Sequence, residues 1–427
     1  MLNTTESTAG MLNKLGLSST DEIYSSIPEN IRLREPFALP EALGEYDLKK
    51  VMQNLAGRNI SAGDAVCFLG AGVYDHFVPS IVNRISEYAS FCLNGGGNAS
   101  ESQGILQAVY ELQIYMQQLT GMEAVNTTLN GMSGALEKAA MIALAESGKK
   151  KIAVSHSVNP EYRKCLETYC KAFDVKFVEI GCADGASSTD ELIKAMGDDC
   201  ALVIVQSPDY FGNIEDMEAL ALKAHENETL FAAITDPLSL ALLQTPGEYK
   251  ADITIGNGQP LGGALMYGTH YFAYIGVNDN LKHYIEDGII NMLSDGKFTL
   301  NSKGSCTSSR ILSALSGAVY ISAMGSEGLR EAARACYSNA YYTYEKLTAT
   351  SAFKPVFNKP FFREFAVKAT KKNVNDINNR MLDYGMIGGV ALKNNYPELG
   401  NAWLVAVTEK RSADEVELFV KVASRSI

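Results

Sequence analysis

Between residues 126 and 277 the chain alternates short apolar runs with longer segments of helical spacing, and this alternation restricts the fold more than any other feature. Strands are expected at 151–155, 175–180, 201–206, 230–235, 253–255 and 271–277, with helices near 133–147, 160–173, 189–196 and 215–226. Thr189 and Asn213 stand where their side chains can accept amides at the starts of the last two helices. Strands alternating with helices make a mostly parallel sheet covered on both faces, an α/β architecture.

The flanks read differently. Residues 1–60 form an N-terminal arm: Met11, Leu12, Leu15 and Leu17 have helical spacing, and Ser19 and Thr20 offer a second helix start. Pro28, Pro36 and Pro40 then exclude a regular helix or central strand. Ile31, Leu33, Phe37 and Leu39 are costly to leave in water, so the arm is expected to lie over a neighbouring domain or subunit. A large domain is expected over 61–310, with loop and one helix in 64–104. Next comes a helix whose face is Ile105, Leu106, Val109, Leu112, Met116 and Leu119, ending at Gly121. After 277, helices are expected at 281–293 and 309–348, the second broken at Gly325. A smaller C-terminal α+β domain, with the long helix, would span 311–427, its strands in PFFREFAVKA and NAWLVAVTEK and its helices near 373–384 and 412–425.

Charge and cysteine usage narrow the class. With 37 basic against 49 acidic residues the net charge is -12, which disfavours nucleic acid or an anionic membrane as partner, and Lys149–Lys151 and Lys371–Lys372 are too short to make a basic patch. The eight cysteines are scattered with no CxxC pair, the pattern of reduced thiols in a cytoplasmic protein. The N-terminus has no signal-peptide pattern, and no apolar run reaches membrane-spanning length.

The chemistry is concentrated in residues 229–265, where one apolar strand ends at Asp236 and a second runs into a glycine-rich turn. Enzymes that use pyridoxal phosphate (PLP) place an Asp at a strand end to pair with the pyridine nitrogen, and a Lys beyond a later strand to hold the cofactor covalently. Here the Asp is present and the Lys is absent: the turn reads Gly256, Asn257, Gly258, Gln259, Pro260. Lys250 precedes the strand and reads as a solvated loop residue. Gly95, Gly96 and Gly97 can form an anion-binding nest or a mobile loop. Gly131, Ser133 and Gly134 open an Ala-rich helix whose free amides can take a phosphate, although many helices begin this way. His76 and His156 read first as hydrogen-bonded structural residues, with proton transfer or stacking as the alternative; no metal site is expected, since the remaining histidines show no ligand spacing.

A set of motifs in order along the chain carries a family resemblance: SIPENIRL, FLGAGVYDHFVPSIV, QGILQAVYELQIYMQQLTGME, NPEYRK, IVQSPDYFGNIED, DPLSLALLQTPGEYKADI, GNGQPLGG, GSEGLREAA, PFFREF and YPELGNAWLVAVTEKR. Together they resemble the alpha subunit of the two-subunit glycine dehydrogenase (decarboxylating), the P-protein of the glycine cleavage system. The resemblance implies the PLP-dependent transferase fold of the aspartate aminotransferase type. It implies PLP on a homologous beta subunit that carries the lysine, and a hetero-oligomer in which the alpha chain shapes the active site. There glycine loses its carboxylate as carbon dioxide, and the aminomethyl group passes to the lipoyl arm of the H-protein. The residue readings and the resemblance together give a candidate pocket at Gly95, Gly96, Gly97, Asn98, Glu101, Gln103, Asn130, Gly131, Ser133, His156, Asp236 and Gln259, with no catalytic residue assigned to this chain.

The sequence departs from the family at the glycine-rich segment, where the pattern has Tyr and Pro, at Asn130–Met132, and in the basic loop now read as GKFTLNSKGSCTSS. The alternative reading is therefore a diverged paralogue acting on another small amino acid, or a non-catalytic binding subunit.

Overall fold

The computed structural model describes residues 5–33, 37–94, 102–129, 131–265, 271–301 and 308–425. The chain divides into two compact units, 1–60 and 61–427. The first holds two helices, α1 (Thr5–Leu15) and α2 (Glu45–Ala56), with short 3-10 turns at Thr20–Tyr24 and Glu29–Ile31 between them. Ser19 starts the turn at Thr20 without a side-chain cap.

The second unit begins with α3 (Ser80–Asn94) and α4 (Gln103–Thr120). The apolar face of α4 is buried through Leu106, Val109, Leu112 and Met116, and Gly121 closes the helix in the left-handed conformation at φ 69°. The strand and helix alternation follows: α5 (Gly131–Ser147), α6 (Pro160–Ala172), α7 (Thr189–Met196) and α8 (Met217–Glu226) surround a seven-stranded sheet. Its order is Ala124–Asn126, Ala273–Val277, Ile253–Asn257, Leu230–Thr235, Cys200–Ser207, Lys151–Ser155 and Lys176–Ile180. All neighbours are parallel except Ala273–Val277, which runs antiparallel to both of its partners.

The apolar strands serve two cores at once, because successive side chains point to opposite faces. Ile152, Val154, Leu202, Ile204, Ala232 and Ile234 pack with α5 and α6. Their neighbours Ala153, Val203, Val205, Phe231 and Ala233 pack with α7 and α8.

Two local expectations fail. Ser188 and Asp216, not Thr189 and Asn213, cap α7 and α8, each accepting an amide three residues on. The expected helix at 281–293 is a 3-10 turn, Asp279–Tyr284, followed by a hairpin of Ile290–Met292 with Phe298–Leu300. Gly288, at φ 94°, lies between the turn and the hairpin, and the Asp295–Gly296 corner, with Gly296 at φ 81°, folds the second half back on itself.

The remaining elements build the C-terminal part. Helix α9 (Ser308–Thr348) is interrupted at Gly325, whose φ of 64° and ψ of 179° are non-helical. A four-stranded antiparallel sheet, ordered Phe353–Pro355, Glu364–Ala369, Ala402–Ala406 and Val390–Ala391, packs on α10 (Val374–Asp383) and α11 (Ala413–Ser424). Phe68 stacks on Phe419 at 3.8 Å, and Trp403 stacks on the same ring at 5.3 Å. This places strands Glu364–Ala369 and Ala402–Ala406 beside the loop 69–78 that leads into α3. Among the described residues no helix is long and apolar enough to cross a membrane, and the six cysteines described are free thiols.

Candidate functional site

Strand Leu230–Thr235 lies in the interior of the large sheet, and its end delivers Asp236 to a junction with the smaller sheet. One carboxylate oxygen accepts the amides of Leu238 and Ser239, each at 3.0 Å, and so turns the chain away from the sheet. The other is held by the guanidinium of Arg363, which immediately precedes strand Glu364–Ala369. Arg363 is 3% exposed, and its guanidinium carbon sits 3.6 Å from the centre of the Tyr74 ring. A buried cation needs both an opposite charge and filled donor positions. Burial opposes the charge of Arg363, and Asp236 outweighs it, holding the guanidinium protonated above its ordinary range.

The ion pair extends into a buried chain of hydrogen bonds. Arg363 donates to Nε2 of His76 at 2.9 Å, while Nδ1 of His76 meets Glu409 at 2.7 Å. Glu409 also accepts the Cys336 thiol at 3.1 Å and the amide of Phe77 at 2.7 Å. Burial raises the Glu409 carboxyl, but the hydrogen bond from His76, with those from the Phe77 amide and Cys336, prevails and holds it at about 2. Burial, then Glu409, pushes the Cys336 thiol well up, so it donates as a neutral group.

His76, Cys336 and Glu409 are the one set of side chains with metal-ligand reach among the described residues. Their hydrogen bonding is that of an ion-pair chain instead: a metal on Nδ1 would leave Nε2 carrying a proton, pointed at the N–H of Arg363.

A parallel set of contacts holds the same loop. Glu364 accepts the amide of Ala71 at 2.7 Å and the Tyr74 hydroxyl at 2.8 Å. Burial pushes this carboxyl up to about 7, against those two bonds and the charge of Arg363. The Gln259 side chain, fully buried, accepts the Tyr74 amide at 3.1 Å and donates to the Tyr74 and Gly263 carbonyls at 2.8 Å. Asp75 pairs with Lys410 at 2.6 Å and Arg411 at 3.2 Å. Loop 71–77 is thus fixed to both sheets.

Two cavities flank this network. One, of about 50 Å³, lies between Asp236, Pro260, Tyr74, Arg363 and Glu364. The other, of about 370 Å³, opens beside the start of α5 and is lined by Gly131, Met132, Asn159, Tyr162 and Arg310. Burial pushes the Tyr162 phenol, shared by both cavities, up to about 12.

These positions sort the sequence candidates. Asp236 and Pro260 line the small cavity, Gly131 lines the large one, and Gln259 braces the loop between them. Ser133 lies in the first turn of α5. Gln103 and His156 line neither cavity. The Gln103 amide exchanges bonds with the backbone of Phe298, both 2.8 Å. His156 contacts Glu179 at 2.8 Å and Arg163 at 3.0 Å, with Glu398 3.8 Å away. Lys250 is exposed on its turn. Gly95, Gly96, Gly97, Asn98, Glu101 and Asn130 lie outside the described residues. The sequence reading passed over Arg363, Tyr74, Glu364 and Glu409; an Arg–Glu doublet inside the apolar PFFREF was the available sign of buried charge.

The pyridine ring that PLP enzymes pair with an Asp at a strand end does not fit these residues. The carboxylate oxygen it would need is taken by Arg363, Tyr74 covers the guanidinium, and Pro260 offers no amine. Ligand pockets begin near ~300 Å³, and the space at Asp236 is about 50 Å³.

A family model described as glycine cleavage system P-protein matches residues 2–300. The probable glycine dehydrogenase (decarboxylating) subunit 1 of Carboxydothermus hydrogenoformans is 34% identical over 429 residues, covering 96% of each chain. Its counterpart from Moorella thermoacetica is 36% identical over 427 residues, covering 96% of this chain and 95% of that one. Among solved structures, glycine decarboxylase (P-protein) of the glycine cleavage system, in inhibitor-bound form, superposes with a TM-score of 0.87 at 30% identity over 99% of both chains. A sphingosine-1-phosphate lyase from Burkholderia pseudomallei, 14% identical over 94% of this chain and 93% of that one, shares the fold with a TM-score of 0.69. The chain has the PLP-dependent transferase architecture and belongs to the glycine cleavage system P-protein family.

Proposed function

We propose that this chain is the alpha-type subunit of a glycine decarboxylase in the cytoplasm, and that it works without a PLP of its own. The observation that carries the reading is the commitment of Asp236 to Arg363 together with proline at position 260. A homologous partner subunit holds PLP through its lysine and removes the glycine carboxylate as carbon dioxide. This chain supplies part of the wall around that site. The aminomethyl group then passes to the lipoyl carrier H-protein.

Exposed apolar side chains support a partner. Phe77, Ile81, Ile85 and Tyr88 follow one another along the loop and one side of α3, all in contact with water in the single chain. Leu33, Phe37 and Leu39 of the N-terminal unit are also exposed. Contiguous apolar surface of this kind marks an interface. The names of the relatives, each a subunit 1, agree with such an assembly.

The test is exchange of labelled bicarbonate into the carboxylate of glycine, with this chain, the lysine-bearing homologue, PLP and a lipoylated carrier. Exchange that disappears when this chain is omitted is the expected result. A stable two-subunit complex that binds PLP and gives no exchange would refute glycine as the substrate.

A further inference from the structure

Asp236 presents a negative charge at the end of a buried strand, and what answers it is planar, cationic and covered on one side by an aromatic ring. Those are the properties of a protonated aromatic cofactor ring beneath a stacking residue. Here they come from two side chains of the protein: Arg363 supplies the charge and Tyr74 the π surface. Arg363 also belongs to the smaller sheet's entry, whereas Asp236 ends a strand of the larger one, so filling the slot also fastens the two sheets together.

We infer that Arg363 is an internal ligand, a built-in guanidinium that occupies the Asp236 slot permanently and keeps loop 71–77 and strand Glu364–Ala369 docked against it. The preceding functional reading is used only to identify the ring that Arg363 replaces; the inference concerns the chain by itself. Three features agree. First, the slot is nearly full, with about 50 Å³ left. Second, both ends of the guanidinium are in use, by Asp236 and by His76, so it has the fixed donor geometry of a bound ligand rather than the freedom of a surface arginine. Third, the strand that begins beside Arg363 is closely packed: a Cβ on Gly70 would lie 2.2 Å from the Glu364 carboxylate, and one on Gly212 would lie 1.7 Å from the Glu364 carbonyl oxygen.

An internal ligand can be removed and given back. In the full-length chain, Arg363→Ala leaves Asp236 facing an empty slot. The thermal midpoint is expected to fall by about 5 °C. Methylguanidinium at millimolar concentration should recover at least half of that fall, leave the wild type unchanged, and be matched by no recovery from N-methylurea, which has a similar shape and no charge. Adding Asp236→Asn to Arg363→Ala should abolish the recovery.

Equal recovery by N-methylurea, or no recovery in a folded Arg363→Ala chain, overturns the inference. If the alanine variant does not fold, Arg363→Lys replaces it. A lysine keeps the charge and cannot bridge Asp236 and His76 together. Hydrogen exchange at the amides of Ala71, Tyr74 and Phe77 should then rise at least tenfold, and unchanged exchange there overturns the inference. None of these measurements reads decarboxylation or partner binding, so their failure and the failure of the glycine reading are separate events.

Discussion

The slot at Asp236 and the cavity at the start of α5 share Gly72, Met132, Tyr162 and Asn257 in their walls, yet they are built by opposite rules. In the slot every buried polar group is answered within the protein: the Asp236 carboxylate by Arg363, the two ring nitrogens of His76 by Arg363 and Glu409, the Glu364 carboxyl by Ala71 and Tyr74. In the cavity the Nε of Arg310 is shielded from solvent and has no partner, and the space is several times larger, 370 Å³ against 50 Å³. A chain that gives up a ligand must neutralise the buried groups that held it. Around Asp236 the buried groups are paired within the protein; next to α5 the space is open.

The contrast predicts opposite tolerance to added volume. Gly212 has φ 88°, and a Cβ there meets the Glu364 carbonyl oxygen at 1.7 Å. Gly212→Ala is expected to cost about 3 kcal/mol or more, through overlap and a disfavoured backbone together. Gly131 also has a positive φ, 66°, but nothing lies within 4 Å of its Cβ position. Gly131→Asn, whose side chain tolerates the left-handed region, is expected to cost about 1 kcal/mol or less. Urea unfolding of the two variants measures both. Comparable costs would erase the distinction between a packed end and an open one.

Proton linkage gives the next largest effect. The folded chain holds the Glu364 proton up to about pH 7, above the ordinary carboxyl value of 4.5. Between those two values the folded state binds more protons than the unfolded state, so stability falls as pH rises through the window and levels off above it. The loss amounts to at most about 3 kcal/mol. Glu364→Gln keeps an acceptor for Ala71 and a polar partner for Tyr74 and has nothing to titrate. Its stability should decline less steeply across the same window than that of the wild type, the remaining slope coming from Asp209 and Glu215, whose carboxyls burial also raises; an equal decline in both would assign the linkage elsewhere.

Tyr74→Leu tests the aromatic lid. The substitution removes the ring over Arg363 and the hydroxyl that donates to Glu364. Together these are worth about 2 kcal/mol. A midpoint unchanged in urea would show that Arg363 is held by its ion pair alone.

How much of this was legible in the sequence follows from the distance over which each feature is determined. The inner strands of the large sheet announce themselves because they are buried on both faces, so the local run is apolar whatever it pairs with. Residues 281–293 have helical spacing too, but their state is decided by pairing with Phe298–Leu300, which local spacing does not carry. At the site, Asp236 and the missing lysine could be read from neighbouring residues. Arg363 could not: it lies 127 positions from Asp236 and 287 from His76, and in PFFREF it resembles the exposed member of an edge strand. The sequence candidate that came nearest was His76, correctly weighed as a hydrogen-bonded group, with its partners unseen.

The smallest effect is expected at Arg310. It lines the open cavity, its Nε is unsatisfied, and no ion pair forms there among the described residues. A cation without a partner contributes no pairing energy to the fold, and its partial burial opposes folding. Arg310→Gln should therefore change stability by less than about 0.5 kcal/mol, in either direction. Arg363→Met, isosteric in length and equally a loss of one positive charge, should cost about 3–5 kcal/mol by leaving Asp236 unpaired. The two substitutions remove the same charge from adjoining sites, so the difference between them isolates what an internal partner adds. If Arg310→Gln destabilised the chain as much as Arg363→Met, the cavity beside α5 would be as fully built as the slot, and the division between a sealed end and an open one would fail.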